Sequence, residues 1–205
     1  MKNPWKEIKL TDYENHMKLE SVMQLQTMNA MMKEQFYQYP VKTIMILGIA
    51  GGNGLEHIDP KIIENIFGVD INRDYLDECV NRYTQLDGVL KIICSDLTKD
   101  NLALPHADLV VANLFIEYIG YACFQKTINQ VKPQYVSCVI QINAEDNFVS
   151  DSPYIYVFEH LDSVHHQMSE KSLIKAMEDI NYRMILNSEE LLPNGKKLVR
   201  LDFKR

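Results

Sequence analysis

The hydrophobic pattern of the chain changes period near residue 43. Before it, Leu19, Val22, Met23, Gln26 and Ala30 recur at helical spacing, and the run rises to Phe36 and Tyr37 before Pro40, which continues a helix poorly. Thr11-Asp12-Tyr13-Glu14 has the spacing of a capping box, with the Thr hydroxyl placed to take an amide proton and Glu14 to reach back, so a helix is expected to begin there. The methionines at 17, 23, 28, 31 and 32 fit core packing, with a pliable binding surface as the alternative. From Thr43 onward short β-rich runs alternate with helical stretches, the mark of a parallel α/β sheet. Strands are expected at 43–49, 66–70, 89–94, 108–112 and 135–142, with helices near 61–65, 73–86, 116–131 and 169–181. Asp59-Pro60 reads as an N-cap followed by proline at the first helical position, so the first crossover helix should be short or broken. Residues 182–187 and 197–203 flank Pro193-Asn194-Gly195, a turn signal that predicts a closing antiparallel hairpin.

Composition narrows the class. The 205 residues fit one domain, and 46% hydrophobic with 24% charged residues supports a sizeable core rather than disorder. A formal charge of -7 argues against nucleic acid as the main partner, because phosphate backbones are held by clustered Lys and Arg. Lys196, Lys197, Arg200, Lys204 and Arg205 give the hairpin a basic cast, read here as polar residues on the outer face of an edge strand in preference to a nucleic-acid patch. Cys79, Cys94, Cys123 and Cys138 are far apart without ligand spacing, so they are expected to be reduced and partly buried, with no metal site. No segment approaches the ~18 apolar residues of a membrane span, and a cytoplasmic protein is the expectation.

The chemistry concentrates where the first strand ends. Ile46-Leu47-Gly48-Ile49-Ala50-Gly51-Gly52-Asn53-Gly54 is an apolar run feeding a turn of small residues, which lets a backbone approach a ligand without side chains intervening. Asp70 ends the next apolar run about 20 residues beyond that turn, where a nucleoside-binding fold carries its ribose carboxylate.

With these features the chain resembles a class I S-adenosylmethionine-dependent methyltransferase over residues 40–205. The family's first motif, an acidic residue, an apolar residue and then G-x-G-x-G, falls on Gly48, Ile49, Ala50, Gly51, Gly52, Asn53 and Gly54. Gly48 stands at the acidic position and Ala50 at the first glycine; Asp12 or Glu14 from the N-terminal helix is the suggested substitute for the missing carboxylate. The resemblance implies a Rossmann-like seven-stranded, mostly parallel sheet with an antiparallel terminal strand, helices on both faces, and residues 1–39 as a helical lid. It also implies that S-adenosylmethionine is held by the glycine-rich turn, by Asp70 on the ribose and Ile71 against adenine, by Ser95, Asp96 and Leu97 at the adenine amine, and by Asn113 where the methyl group points outward.

Methyl transfer mainly needs alignment and exclusion of water, plus a base if the acceptor carries a proton. Glu117 and His165 are the catalytic candidates, and Tyr13, His16, Tyr118 and His166 the candidates for acceptor contact. Glu117 equally fits a helix-start carboxylate, and His165-His166 an exposed loop pair. Asn113-Leu114-Phe115-Ile116 lacks the N/D-P-P-Y turn of amide and adenine methyltransferases. Asn143-Ala144-Glu145-Asp146-Asn147 offers oxygen ligands for a hard cation, but position 113 supplies no matching acid. A small-molecule acceptor of unknown identity remains. The competing readings are a catalytically silent S-adenosylmethionine-binding protein and an NAD-dependent oxidoreductase, the latter disfavoured by a turn that does not spell GxGxxG.

Overall fold

The computed structural model describes residues 3–99, 103–143 and 148–205. Its centre is a seven-stranded sheet of order β3-β2-β1-β4-β5-β7-β6. The strands are β1 (Thr43–Leu47), β2 (Asn65–Asp70), β3 (Leu90–Cys94), β4 (Leu109–Asn113), β5 (Tyr135–Ile142), β6 (Arg183–Leu191) and β7 (Lys197–Lys204). The first five pair in parallel, and β7 runs antiparallel between β5 and β6. The strand order reverses between β1 and β4, and in open α/β sheets a ligand crevice forms at the carboxyl ends of the strands flanking such a point.

Alternation along the strands divides the core. Ile44 and Ile46 of β1, Ile66 of β2 and Val111 of β4 face α2 (Gln24–Tyr37) and α3 (Arg73–Arg82) through Met32, Phe36, Leu76 and Cys79. Met45 and Leu47, Val110 and Ala112, and Val136 and Cys138 face α4 (Ile116–Val131) and α5 (Glu170–Glu178) through Phe124, Ile128, Leu173 and Met177. A smaller cluster of Ile8, Phe158 and Leu161 gathers Trp5, Tyr13, Tyr118 and Phe148 over the strand ends.

Four local expectations are corrected. The N-terminal helix is two: α1 (Leu10–Met17) and α2, separated by a turn in which Met23 takes a left-handed φ of 54°. Thr11 lies inside α1, whose N-cap Lys9 makes no side-chain cap bond, and Glu14 pairs with Arg82 instead of reaching back. The first crossover helix, expected to be short or broken near 61–65, is indeed no more than a single turn: the Asp59 carbonyl accepts from the amides of Ile62 and Ile63, then Glu64 and Asn65 bond Lys42 and β2 takes over. Arg200 is not on an outer edge; β7 is an interior strand and Arg200 is 1% exposed. The second crossover helix, expected over 73–86, also ends early, at Arg82, with Thr84–Leu86 continuing as a 3-10 turn.

The methionines at 17, 28, 31 and 32 are buried, and all four cysteines are free, with Cys79 and Cys138 buried and Cys94 exposed. Among the described residues no helix is long and apolar enough to cross a membrane. Residues 144–147, most of the stretch weighed as a cation site, lie outside the described residues.

Candidate functional site

Three contiguous cavities lie over the carboxyl ends of β1, β2, β4 and β5, and Tyr13 of α1 and Leu114 after β4 border all of them. The first, with about 680 Å³ of unfilled space, is walled by Gly48, Ala50, Asp70, Ile71, Ser95, Asp96, Leu97, Asn113 and Tyr118. Asp70 sits there at 8% exposure, where it accepts from the Ala50 amide at 3.0 Å through one oxygen and from the Asn72 amide at 2.9 Å through the other. Burial pushes its pKa up, and the backbone amides pull the other way. The carboxylate borders the cavity and is bonded by backbone amides alone, with no cationic partner, which leaves it an acceptor suited to a pair of vicinal hydroxyls. Ile71 and Leu97 supply apolar surface, whereas the Asp96 carboxylate is closed into a local turn by Thr98 through its amide at 3.0 Å and its hydroxyl at 2.6 Å.

The glycines of the turn divide by task. A Cβ on Gly48 would lie 2.5 Å from Phe115 Cδ2, and its φ is +70°, so in this chain Phe115 occupies the space an acidic side chain at 48 would need. Gly52 and Gly54 instead allow the turn to pack on Cys79 and Tyr83 of the α3 region and on Met32 of α2. Ala50 adopts φ 47°, a left-handed conformation that glycine takes more readily.

The second cavity runs along the turn past Gly48, Ala50, Gly51, Asn53 and Asn113, and Glu14 borders it. Glu14 Oε1 lies 2.5 Å from where a Gly51 Cβ would be, and the carboxylate forms a two-point pair with Arg82 at 2.5 and 3.0 Å. Asp12, the other suggested substitute, borders a separate groove with Lys9 and Glu159. Asn53 ties the turn to α2 by donating to the Leu25 carbonyl and accepting from Asn29. The Asn113 amide is engaged in a reciprocal pair with Gln35, at 2.8 and 3.0 Å. Gln35 also donates to Ser137, which donates to Asp202, and Asp202 is paired with Arg200 at 2.6 Å, a buried polar chain running from the strand end through the sheet face.

The third cavity, about 620 Å³ of unfilled space, opens beside the first and shares Trp5 and Tyr118 with it. Glu117, His16, His165, Gln24 and Gln141 meet there with Phe148 and Phe158. Gly120, at φ 72°, breaks α4 after its first turn, so Glu117 and Tyr118 ride on a short separate piece whose Glu117 carbonyl accepts from the His166 amide at 2.7 Å. Glu117 is 5% exposed, and among the described residues its Oε2 has no hydrogen-bond partner. Burial raises its pKa from 4.5 to about 7, with its own backbone amide offsetting part of the rise. The helix-start setting that favours an ionised carboxylate is thus outweighed by loss of water.

His16 bonds Ser152 Oγ at 2.7 Å, and burial, aided by Lys196, lowers its pKa to about 4. His165 stacks on Phe148 at 3.8 Å, and burial lowers its pKa too. His166 is exposed, over Gly120, and borders an outer groove rather than this cavity.

The N-terminal segment is fastened over the site. Asn72 caps α3 and donates to the Trp5 carbonyl at 2.9 Å, while the Tyr75 hydroxyl donates to the Ile8 carbonyl at 2.9 Å. Trp5 packs edge-on against Tyr13 and Tyr118, at 5.6 and 4.9 Å. Sequence reasoning missed Trp5, Phe148, Phe158, Gln24 and Gln141; the lone tryptophan was the one available signal.

No protein-family model matches the chain, and no curated protein matches it by sequence. Solved structures do. The N-methyltransferase NodS from Bradyrhizobium japonicum WM9, in complex with S-adenosylhomocysteine, aligns over 100% of this chain and 99% of its own at TM-score 0.67 and 10% identity. Magnesium protoporphyrin IX methyltransferase ChlM from Synechocystis aligns over 89% and 82% at TM-score 0.62 and 11% identity. The [4+2]-cyclase SpnF aligns over 90% and 82% at TM-score 0.67 and 8% identity. The chain therefore has the Rossmann-like fold of class I methyltransferases, and SpnF shows that this fold by itself does not select a reaction.

Proposed function

We propose that this protein is an S-adenosylmethionine-dependent methyltransferase acting on a small-molecule acceptor. The observation that carries the reading is the meeting of three cavities at Tyr13 and Leu114: one suited to a nucleoside, one running along a bare glycine turn, one holding a buried carboxylate. In this reading Asp70 holds the ribose hydroxyls, Ile71 and Leu97 flank the adenine, and the Ser95-Asp96 backbone and carboxylate lie at its rim. Gly48, Ala50 and Gly51 present backbone to the methionine portion, and Glu14 supplies the negative charge for its ammonium that Gly48 cannot. Asn113 acts through its pair with Gln35, which fixes the end of β4 beside the junction. When bound, S-adenosylmethionine supplies an electrophilic sulfonium methyl group that an acceptor lone pair displaces from sulfur.

The chain's own residues would orient the acceptor, exclude water and take its proton. Glu117 Oε2 receives that proton, and a pKa of about 7 suits a base at neutral pH. His165 and Tyr118 border the acceptor, His16 anchors the far wall through Ser152, and Trp5 and Tyr13 shut out solvent. The test is equilibrium binding of S-adenosylhomocysteine, followed by competition with NAD and by a methyl-transfer screen with S-adenosylmethionine. Binding unaffected by NAD, with transfer to some metabolite, is the expected outcome. Folded protein that binds neither S-adenosyl compound overturns the reading, and binding without any transfer supports the silent-protein alternative.

A further inference from the structure

The third cavity carries more information than the presence of a base. Among the described residues that wall it, Glu117 is the one side chain able to hold charge at neutral pH. His16 and His165 are driven toward the neutral form, and the tyrosines Tyr13 and Tyr118 have their ionisation suppressed by burial. Glu117 Oε2 is buried without a hydrogen-bond partner among the described residues. A buried carboxylate left unpaired is costly, and the occupant that relieves it best brings a positive charge with N–H donors. Five rings, Trp5, Tyr13, Tyr118, Phe148 and Phe158, stand in the wall beside the neutral amides of Gln24, Gln141 and Asn143, and ring faces attract cations while ring bodies pack on a carbon frame.

We propose that this cavity receives a small cationic amine, its ammonium against Glu117 and its carbon frame among the rings of Trp5, Tyr118, Phe148 and Phe158. As a statement about the methyl acceptor this rests on the methyltransferase reading, in which Glu117 takes one ammonium proton, the freed nitrogen lone pair bonds the methyl carbon and the methyl–sulfur bond breaks to leave S-adenosylhomocysteine; as a statement about binding it stands on the cavity alone. A neutral phenol or alcohol would give Glu117 a hydrogen bond but no countercharge, and a carboxylic acid would meet like charge. Lys196, whose charge is felt by His16 and His165, donates to the Phe148 carbonyl at 2.6 Å and does not border the cavity.

The groups that feel Glu117 are Tyr13 of α1, Tyr118 of its own helix and Cys138 of β5, all held neutral by burial. His16 and His165 face the same space, uncharged near pH 7. An alkylammonium keeps its charge to about pH 10. Amine affinity therefore follows ionisation of Glu117 and rises with pH; Lys196, whose pKa burial lowers to about 8, acts in the same direction as it loses charge.

The test exploits Trp5, the one tryptophan, which borders both the nucleoside and the acceptor cavities. Its fluorescence is titrated with matched pairs, 2-phenylethylamine against 2-phenylethanol and benzylamine against benzyl alcohol, with phenylacetate as the anionic control, with and without saturating S-adenosylhomocysteine. The expected result is amine binding at least tenfold tighter than its alcohol, and about tenfold tighter at pH 8 than at pH 6 in the unmodified protein, given a Glu117 pKa of about 7. Glu117→Gln should remove most of that pH dependence, leaving the smaller part due to Lys196, and weaken amine binding at least tenfold. Alcohols or phenylacetate binding as well as amines, a flat pH profile, or an unchanged Glu117→Gln overturns the proposal. If S-adenosylhomocysteine binds and no amine does, the amine inference alone fails; if amines bind and S-adenosylhomocysteine does not, the methyltransferase reading alone fails.

Discussion

Replacing Glu117 by Gln should stabilise the protein much more at pH 8 than at pH 5. The carboxyl is 5% exposed, one of its oxygens has no hydrogen-bond partner among the described residues, and burial lifts its pKa from 4.5 to about 7. Between those values the folded state holds a proton that the unfolded state has released, so the folded state binds more protons and stability falls as pH rises through the window. At 1.36 kcal/mol per pH unit the ionised group costs the folded protein about 3 kcal/mol by pH 8. Gln keeps the shape and the polar head but never ionises, so it removes that cost while matching the protonated acid at pH 5. Urea unfolding of both proteins at the two pH values measures the difference, and other titrating groups largely cancel between them. The expected gain for Glu117→Gln grows from about 1 kcal/mol at pH 5 to about 3 kcal/mol at pH 8. A difference that does not change with pH would show that Glu117 ionises as an ordinary solvated carboxylate and would remove the base assignment with it. Loss of activity alongside a gain in stability is the pattern expected of a group retained for chemistry.

Asp70→Ala should weaken S-adenosylhomocysteine binding by about 1–3 kcal/mol in calorimetry, the range for hydrogen bonds to a charged group; an unchanged dissociation constant would detach β2 from the ribose. Gly48→Ala combines a φ of +70° with a Cβ 2.5 Å from Phe115, so urea unfolding should register a loss of at least about 1 kcal/mol, and calorimetry weaker binding as Phe115 is displaced from the wall; parent-like values in both would refute the close-packing account. Arg200→Met strands Asp202, 0% exposed, without its ion partner and should cost about 3–5 kcal/mol, while a loss under 1 kcal/mol would mean that Ser137 and Tyr39 satisfy that carboxylate unaided.

The sheet was legible because buried parallel strands read as continuous apolar runs, and each run here ends at a turn or a polar residue that marks the site, as Leu47 leads to Gly48 and Val69 to Asp70. The break between α1 and α2 was not, since Leu19 and Val22 keep helical spacing through a turn whose shape is set by Met23 and by tertiary contacts. Glu14 fitted a capping box by spacing, but the two-point pair with Arg82, 68 positions away, took the carboxylate instead. The acceptor cavity is assembled from Trp5, Glu117, Phe148 and Phe158, residues with no common period, so only folding brings them together. Arg200 looked like hairpin polarity; its opposite charge Asp202, two residues on within an otherwise apolar strand, Leu198 to Phe203, was the sign that both lie buried on one face.

A crystal structure of the complex with S-adenosylhomocysteine tests the central claim most directly. The account predicts the ribose hydroxyls on Asp70, the homocysteine portion along Gly48 to Gly51 with its amino group toward Glu14, and the sulfur at the Tyr13–Leu114 junction facing the Glu117 cavity. A nucleoside bound away from Asp70, or a sulfur turned from Glu117, would contradict it.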